Sequence, residues 1–112
     1  MSSSFGLPVE IGIDDLDQKQ KTGSKVTLLD IREDWELDIC RFSDSVDVPM
    51  INLPGRLKEL PKDGLLVVVC HLGMRSQRAT VWLRNHGFGN AVSLRGGVDA
   101  WARKIDSSMR TY

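Results

Sequence analysis

This chain has no excess of charge of either sign: its fifteen basic and fifteen acidic side chains cancel. With no net positive field to draw a polyanion, nucleic acid is not expected as the main partner. Long apolar runs are also missing. None approaches the roughly 18 residues that a membrane helix needs. The opening "MSSSFGLPVE" has no basic start followed by an apolar core. Neither a membrane span nor a secretory signal is read here. Cysteine is scarce, with only Cys40 and Cys70. The expected setting is therefore a reducing one, the cytoplasm, with both thiols free rather than paired. No second Cys/His pair is spaced like a zinc site, His71 and His86 included, so no metal is expected. Gly96-Gly97 lacks the rest of any dinucleotide or phosphate-loop pattern. There is no internal repeat and no low-complexity stretch.

What is present reads as one domain. A chain of 112 residues buries roughly two-thirds of its unfolded surface, enough for a core of its own. Residues 1–7 read as a frayed tail and residues 8–112 as the domain. The apolar stretches "VTLLD" (26–30) and "LLVVV" (65–69) predict strands, the second covered on both faces. "SVDV" (45–48) and "AVSL" (91–94) are weaker candidates, and "VEI" (9–11) is a candidate edge strand. Between them lie helical signals. Ala79, Trp82, Leu83 and His86 form one stripe, and Val98, Trp101, Ala102 and Ile105 another. Ser76 is the expected cap of the first and Gly87 its left-handed stop. Shorter helices are expected over Asp14–Lys21, Glu33–Ile39 and Ile51–Leu60, with Pro54 tolerable only near the start of the last. This alternation predicts an α/β/α fold on a mostly parallel sheet. Ligands of such sheets bind beyond the carboxyl ends of the strands. Asp30–Arg32, Cys70–Ser76 and Arg95–Gly97 converge on that edge.

The stretch "VVVCHLGMRSQRA" (67–79) carries the chemistry. A cysteine ends a buried strand, a glycine permits an unusual turn, and a helix begins. Successive backbone N–H groups can then turn inward as an anion-binding nest, and the helix N-terminus adds positive potential. Both effects favour a thiolate over a thiol. Arg75 and His71 add to this if their side chains point inward. The combination describes a nucleophile inside a cradle for anionic sulfur or an oxyanion. The competing reading of a lone cysteine is a small buried hydrophobe.

With those residues in view, the chain resembles the rhodanese family of sulfurtransferases in its single-domain form. The matching stretches are "LLDIREDWE" (28–36), "VDVP" (46–49), "LLVVVCHLGMRSQRATVWLRNHGF" (65–88) and "VSLRGGVDAW" (92–101). The resemblance implies a five-stranded, mainly parallel sheet in a three-layer α/β/α domain. It implies that Cys70 accepts a sulfane sulfur from a donor such as thiosulfate, as a persulfide. The sulfur then passes to cyanide or to a thiol, including a protein thiol. His71, Leu72, Gly73, Met74, Arg75 and Ser76 match the family's anion-cradling loop, and Asp30 and Arg32 take supporting roles. No cofactor is implied, because the sulfur is carried covalently. The chain departs from the family where many members have Gly-His-Ile-x-Gly-Ala. Here "CRFSDSV" (40–46) puts Cys40 at the glycine position and Arg41 at the histidine position.

Two other functions fit parts of the pattern. One is a carrier module loaded by a protein donor. The other is a cysteine phosphatase or arsenate reductase, whose loop places five residues between cysteine and arginine. Here four lie between Cys70 and Arg75, a smaller cradle that suits a sulfur atom better than a phosphoryl group. Cys40 is either a buried packing residue or a thiol that resolves an oxidised Cys70. Trp35 either lines the pocket or packs its helix. Arg78, Arg84, Arg95 and Arg103 form either a basic rim or a solvated face.

Overall fold

A computed structural model describes residues 7–112. The tail expected over residues 1–7 falls outside this range except for Leu7. Leu7 packs against a core cluster, and its carbonyl accepts a hydrogen bond from Arg84.

The valine-rich run is the centre of the fold. It forms β4 (Leu65–Val69), the middle of a five-stranded sheet ordered β1-β5-β4-β2-β3. The others are β1 (Glu10–Ile11), β2 (Val26–Asp30), β3 (Val46–Asp47) and β5 (Ala91–Leu94). Every pairing is parallel. Central parallel strands are covered on both faces, so apolar residues follow one another without alternation. Leu66 to Val69 are all at 0% exposure.

The strand's two-residue period divides the core. Val67 and Val69 face one layer, with Leu16 of α1 (Ile13–Lys21) and Val98 and Trp101 of α4 (Gly97–Lys104). Leu66, Val68 and Cys70 face the other, with Ala79 and Leu83 of α3 (Met74–Asn85) and with Leu53 and Leu60. Each fully buried Leu or Val contributes about 1.5–3 kcal/mol by leaving water.

Three expectations need adjustment. The helix over Ile51–Leu60 is instead two 3-10 turns, Met50–Gly55 and Leu57–Glu59. Pro54 has no N–H to give to an α-helical ladder, and short i→i+3 turns tolerate that. The cap of α3 lies three residues before the expected one: Gly73, left-handed at φ 103°, occupies the cap position and Ser76 lies inside the first turn. Trp82 is only partly buried, packing at the edge of the core beside Ala79 and Leu83, and His86 is exposed with its ring stacked on Trp82, so the stripe leaves the core at its last member. Gly87 does stop the helix in a left-handed conformation, φ 96°.

Candidate functional site

Three chain segments meet beyond the carboxyl ends of β2, β4 and β5. Cys70 follows β4 directly, and its side chain is drawn into the closed layer under α3, leaving the residue 1% exposed. The loop then reverses at Gly73. The Gly73 N–H points back at Cys70 Sγ, 3.1 Å away, and the Ser76 N–H does the same at 3.3 Å. These donors come from the start of α3, where backbone N–H groups lack helical partners and the helix dipole is positive. The Cys70 thiol donates to Ser76 Oγ at 3.3 Å, and Ser76 Oγ shares a 2.7 Å hydrogen bond with Ser93 Oγ. Both hydroxyls are fully buried. They are rotors, so the pair can turn to donate toward a sulfur anion once the thiol proton has left.

The outer carbonyls of the loop are held from the other side. Val98 N–H donates to Cys70 O at 2.9 Å and Asp99 N–H to His71 O at 3.1 Å. The start of α4 thus anchors the backbone carbonyls while the N–H groups of the loop turn inward. This close approach needs Gly97, which is left-handed at φ 60°; a Cβ there would lie 2.5 Å from His71 O and closer still to Cys70 O. The Gly96-Gly97 pair, which matched no nucleotide motif, supports the cysteine loop.

The remaining expected residues are placed as follows. Leu72 and Met74 flank the loop and are 55% and 66% exposed. Arg75 makes no hydrogen bond to the Cys70 sulfur among the described residues. Its guanidinium forks onto Glu36, with both N–O distances at 2.8 Å. His71 stacks flat on Tyr112, centroids 3.8 Å apart at 8°, and its Nε2 is buried without a hydrogen-bond partner among the described residues. Asp30 and Arg32 form a fully buried ion pair, N–O 2.9 Å. Arg32 also donates to the Cys40 and Glu36 carbonyls and to Tyr112 Oη. Burial alone would lower the Arg32 pKa, but the hydrogen bonds to Asp30 and Tyr112 raise it above the ordinary arginine value. The Asp30–Arg32 pair braces α2 (Asp34–Ile39) and the chain leaving it.

Glu36, Ser93 and Tyr112 are the site residues that sequence reasoning missed. Glu36 has a local signature: it is the third helical residue in a capping box, its side chain accepting the Glu33 N–H. Burial works against its ionisation, but donors from Arg75, Glu33 and Tyr112 outweigh burial and hold its pKa down at about 2. Tyr112 lies 76 positions away along the chain and donates to Glu36 Oε2 at 2.8 Å. Burial raises its pKa to about 12, with the Glu36 bond adding to the rise and Arg32 opposing it.

Cys40 is extended, φ −162°, so the missing glycine needs no special conformation. It packs in the α1–α4 layer and Cys70 in the α3 layer; both thiols are free. Arg41 pairs with Asp47. Trp35 is 61% exposed, with its ring edge-on to Tyr112 at 6.0 Å between centroids. No basic rim assembles from the four arginines. Arg95 pairs with Glu10 and Arg103 with Asp99, Arg84 donates to the Ala91, Leu7 and Pro8 carbonyls, and only Arg78 stands exposed without an ion pair among the described residues.

This geometry coincides with one family. The model of the rhodanese-like domain matches residues 13–104. The chain belongs to the rhodanese-like family. A sulfurtransferase of Allochromatium vinosum is 38% identical over 84% of this chain and 88% of its own length. The structure of a rhodanese-related protein from Thermoplasma volcanium superposes with a TM-score of 0.78 at 31% identity, covering 88% of this chain and 94% of that one. An adenylyltransferase and sulfurtransferase of Arabidopsis thaliana is 32% identical over 95% of this chain. There the chain spans only 27% of the relative's length. Within the family the fold is the expected one: three layers around a five-stranded parallel sheet.

Proposed function

We propose that this rhodanese-like chain is a sulfurtransferase that carries sulfane sulfur as a persulfide on Cys70. One observation carries the reading: Cys70 Sγ receives two backbone N–H groups, at 3.1 and 3.3 Å, in a buried turn at a helix start. Such a nest stabilises an anion without a metal or a mobile side chain. In loading, the Cys70 thiolate attacks the outer sulfur of a donor such as thiosulfate. The donor's S–S bond breaks, sulfite leaves, and Cys70 holds the new persulfide. An acceptor thiolate or cyanide then attacks that terminal sulfur and returns Cys70 as the thiolate. The reaction takes no cofactor, and a reducing compartment such as the cytoplasm keeps Cys70 available.

The carrier reading shares this chemistry and differs in the partner. The exposed Trp35, Leu72 and Met74 favour it, because apolar side chains around a reactive group suit a protein donor or acceptor. The phosphatase reading loses its phosphate-binding group, since Arg75 is committed to Glu36.

Intact mass after incubation with a sulfane-sulfur donor tests the proposal. The wild type is expected to gain one sulfur atom, cyanide to remove it with release of thiocyanate, and Cys70→Ala to gain nothing. An equal gain on Cys70→Ala places the sulfur elsewhere and ends the assignment.

A further inference from the structure

A cradle that loads from thiosulfate benefits from a free cation, because that donor arrives as a dianion. Arg75 is the cation of this loop, and both of its terminal nitrogens are taken by Glu36. The Glu36 carboxylate is 4% exposed and is held at Oε1 by the Glu33 N–H, 3.0 Å, and at Oε2 by Tyr112, 2.8 Å. Four charge-assisted hydrogen bonds fix it where it stands. Arg32, the other cation of this region, is closed off by Asp30 in the same way. Two guanidinium groups and two carboxylates leave the cluster with no net charge. α2, which carries Glu36, also presents Asp34 and Asp38 to solvent, follows Glu33 and contains no basic residue. The exposed surface of α2 beside this ion pair is therefore acidic.

We infer that Glu36 is a specificity-determining residue: by occupying Arg75, the cation of the cysteine loop, it leaves the Cys70 sulfur to a cradle of backbone N–H groups, so the site loads from a hydropersulfide in preference to thiosulfate. The inference rests on the persulfide chemistry proposed for Cys70. In both loadings the Cys70 thiolate attacks the outer sulfur and the donor's S–S bond breaks. A hydropersulfide, R–S–SH, yields Cys70–S–SH and leaves as RS⁻, the proton staying on the transferred sulfur. Thiosulfate yields Cys70–S–S⁻ and leaves as sulfite, after bringing two negative charges to a loop whose arginine is already paired. The N–H groups of the nest serve the Cys70 sulfur equally in both cases. Only a cation placed for the sulfonate end would favour thiosulfate.

Glu36→Gln tests this with little change of shape. Gln keeps the Oε1 acceptor for the Glu33 N–H, while its amide nitrogen meets Arg75 Nη2 and the Tyr112 hydroxyl in place of Oε2; the fork is broken and the compensating negative charge is gone, so the Arg75 charge is left unpaired. The probes are thiosulfate and the hydropersulfide of 2-mercaptoethanol, compared by kcat/KM at low and high salt. In the variant, kcat/KM for thiosulfate is expected to rise about tenfold, in KM rather than kcat, and to become salt-sensitive. The hydropersulfide value should change by a smaller factor than the thiosulfate value, so that the ratio of the two donors moves toward thiosulfate. An unchanged donor ratio in a folded Glu36→Gln overturns the inference. The wild type supplies an independent arm: its thiosulfate KM should stay level or fall as salt is added, and a steep rise exposes an unpaired cation at the cradle and overturns the inference, whether or not the variant folds. If both donors load Cys70 and the ratio does not move, this inference alone fails. If neither donor adds sulfur to Cys70, the sulfurtransferase proposal fails and the inference with it.

Discussion

Cys70, Ser76 and Ser93 form a buried line of sulfur and two hydroxyls, with contacts of 3.3 and 2.7 Å. Removing the middle member leaves Ser93 without its partner in a dry site, which costs about 1–3 kcal/mol. Ser76→Ala is therefore expected to lower stability by about that amount, read in urea melts. It should also slow sulfur loading, because one hydroxyl rotor no longer reaches the sulfur anion; the Ser76 N–H remains, so loading is reduced rather than abolished. Glu36 is held at about 2 in the folded protein against 4.5 when free. Its folded form binds the proton more weakly, so its contribution is complete above pH 4.5 and is lost as pH falls toward 2. That contribution is on the order of 3 kcal/mol. Glu36→Gln should flatten the fall in stability over this window, as followed by denaturant melts at stepped pH. Tyr112 shows why part of the site escapes sequence reading. Its hydroxyl and ring meet Glu36, Arg32 and His71 only after the chain after α4 returns across the site.

At the scale of elements, the cysteine loop is the product of two helix starts acting on opposite sides of one turn. α3 directs N–H groups at the sulfur, and α4 directs N–H groups at the carbonyls of Cys70 and His71. Gly97→Ala should disturb both, because its Cβ would push into the loop backbone and its φ of 60° is strained for an L side chain. The expected outcome is a loss of thermal stability together with a loss of sulfur transfer. Gly55→Ala is the comparison: that position has open space and no left-handed conformation, and both readouts should stay near wild type. The strands were legible because buried parallel strands write themselves as uninterrupted apolar runs. The start of α3 is not legible at Ser76, because a serine before a helical stripe usually caps. Here a left-handed glycine turns the chain earlier, and the serine is used by the sulfur. The 3-10 turns over residues 50–59 were read as helix because apolar spacing alone does not separate the two periods in so short a stretch.

At the scale of the whole molecule, the sheet separates two core layers and with them the two thiols. Cys40 lies with Phe42 and Trp101, and Cys70 with Leu83 and Val68. Cys40→Ala is therefore expected to leave persulfide formation unchanged, and mild oxidation of the wild type to yield no Cys40–Cys70 disulfide, as read by mass mapping of alkylated thiols. A disulfide found in folded protein would show that Cys40 resolves Cys70 after all. The sequence by itself determined the class of fold, the strand that delivers the cysteine and the loop that cradles it, because those follow from period, strand composition and the special geometry of glycine over a few neighbouring residues. Tertiary structure alone decided which charges meet. The pairing of Arg75 with Glu36, the bridge through Tyr112 and the support of the loop by Gly97 join residues 26 to 80 positions apart. Local pattern does not specify such partners; they are selected when the packed sheet brings its strand ends together and a buried charge must find its opposite.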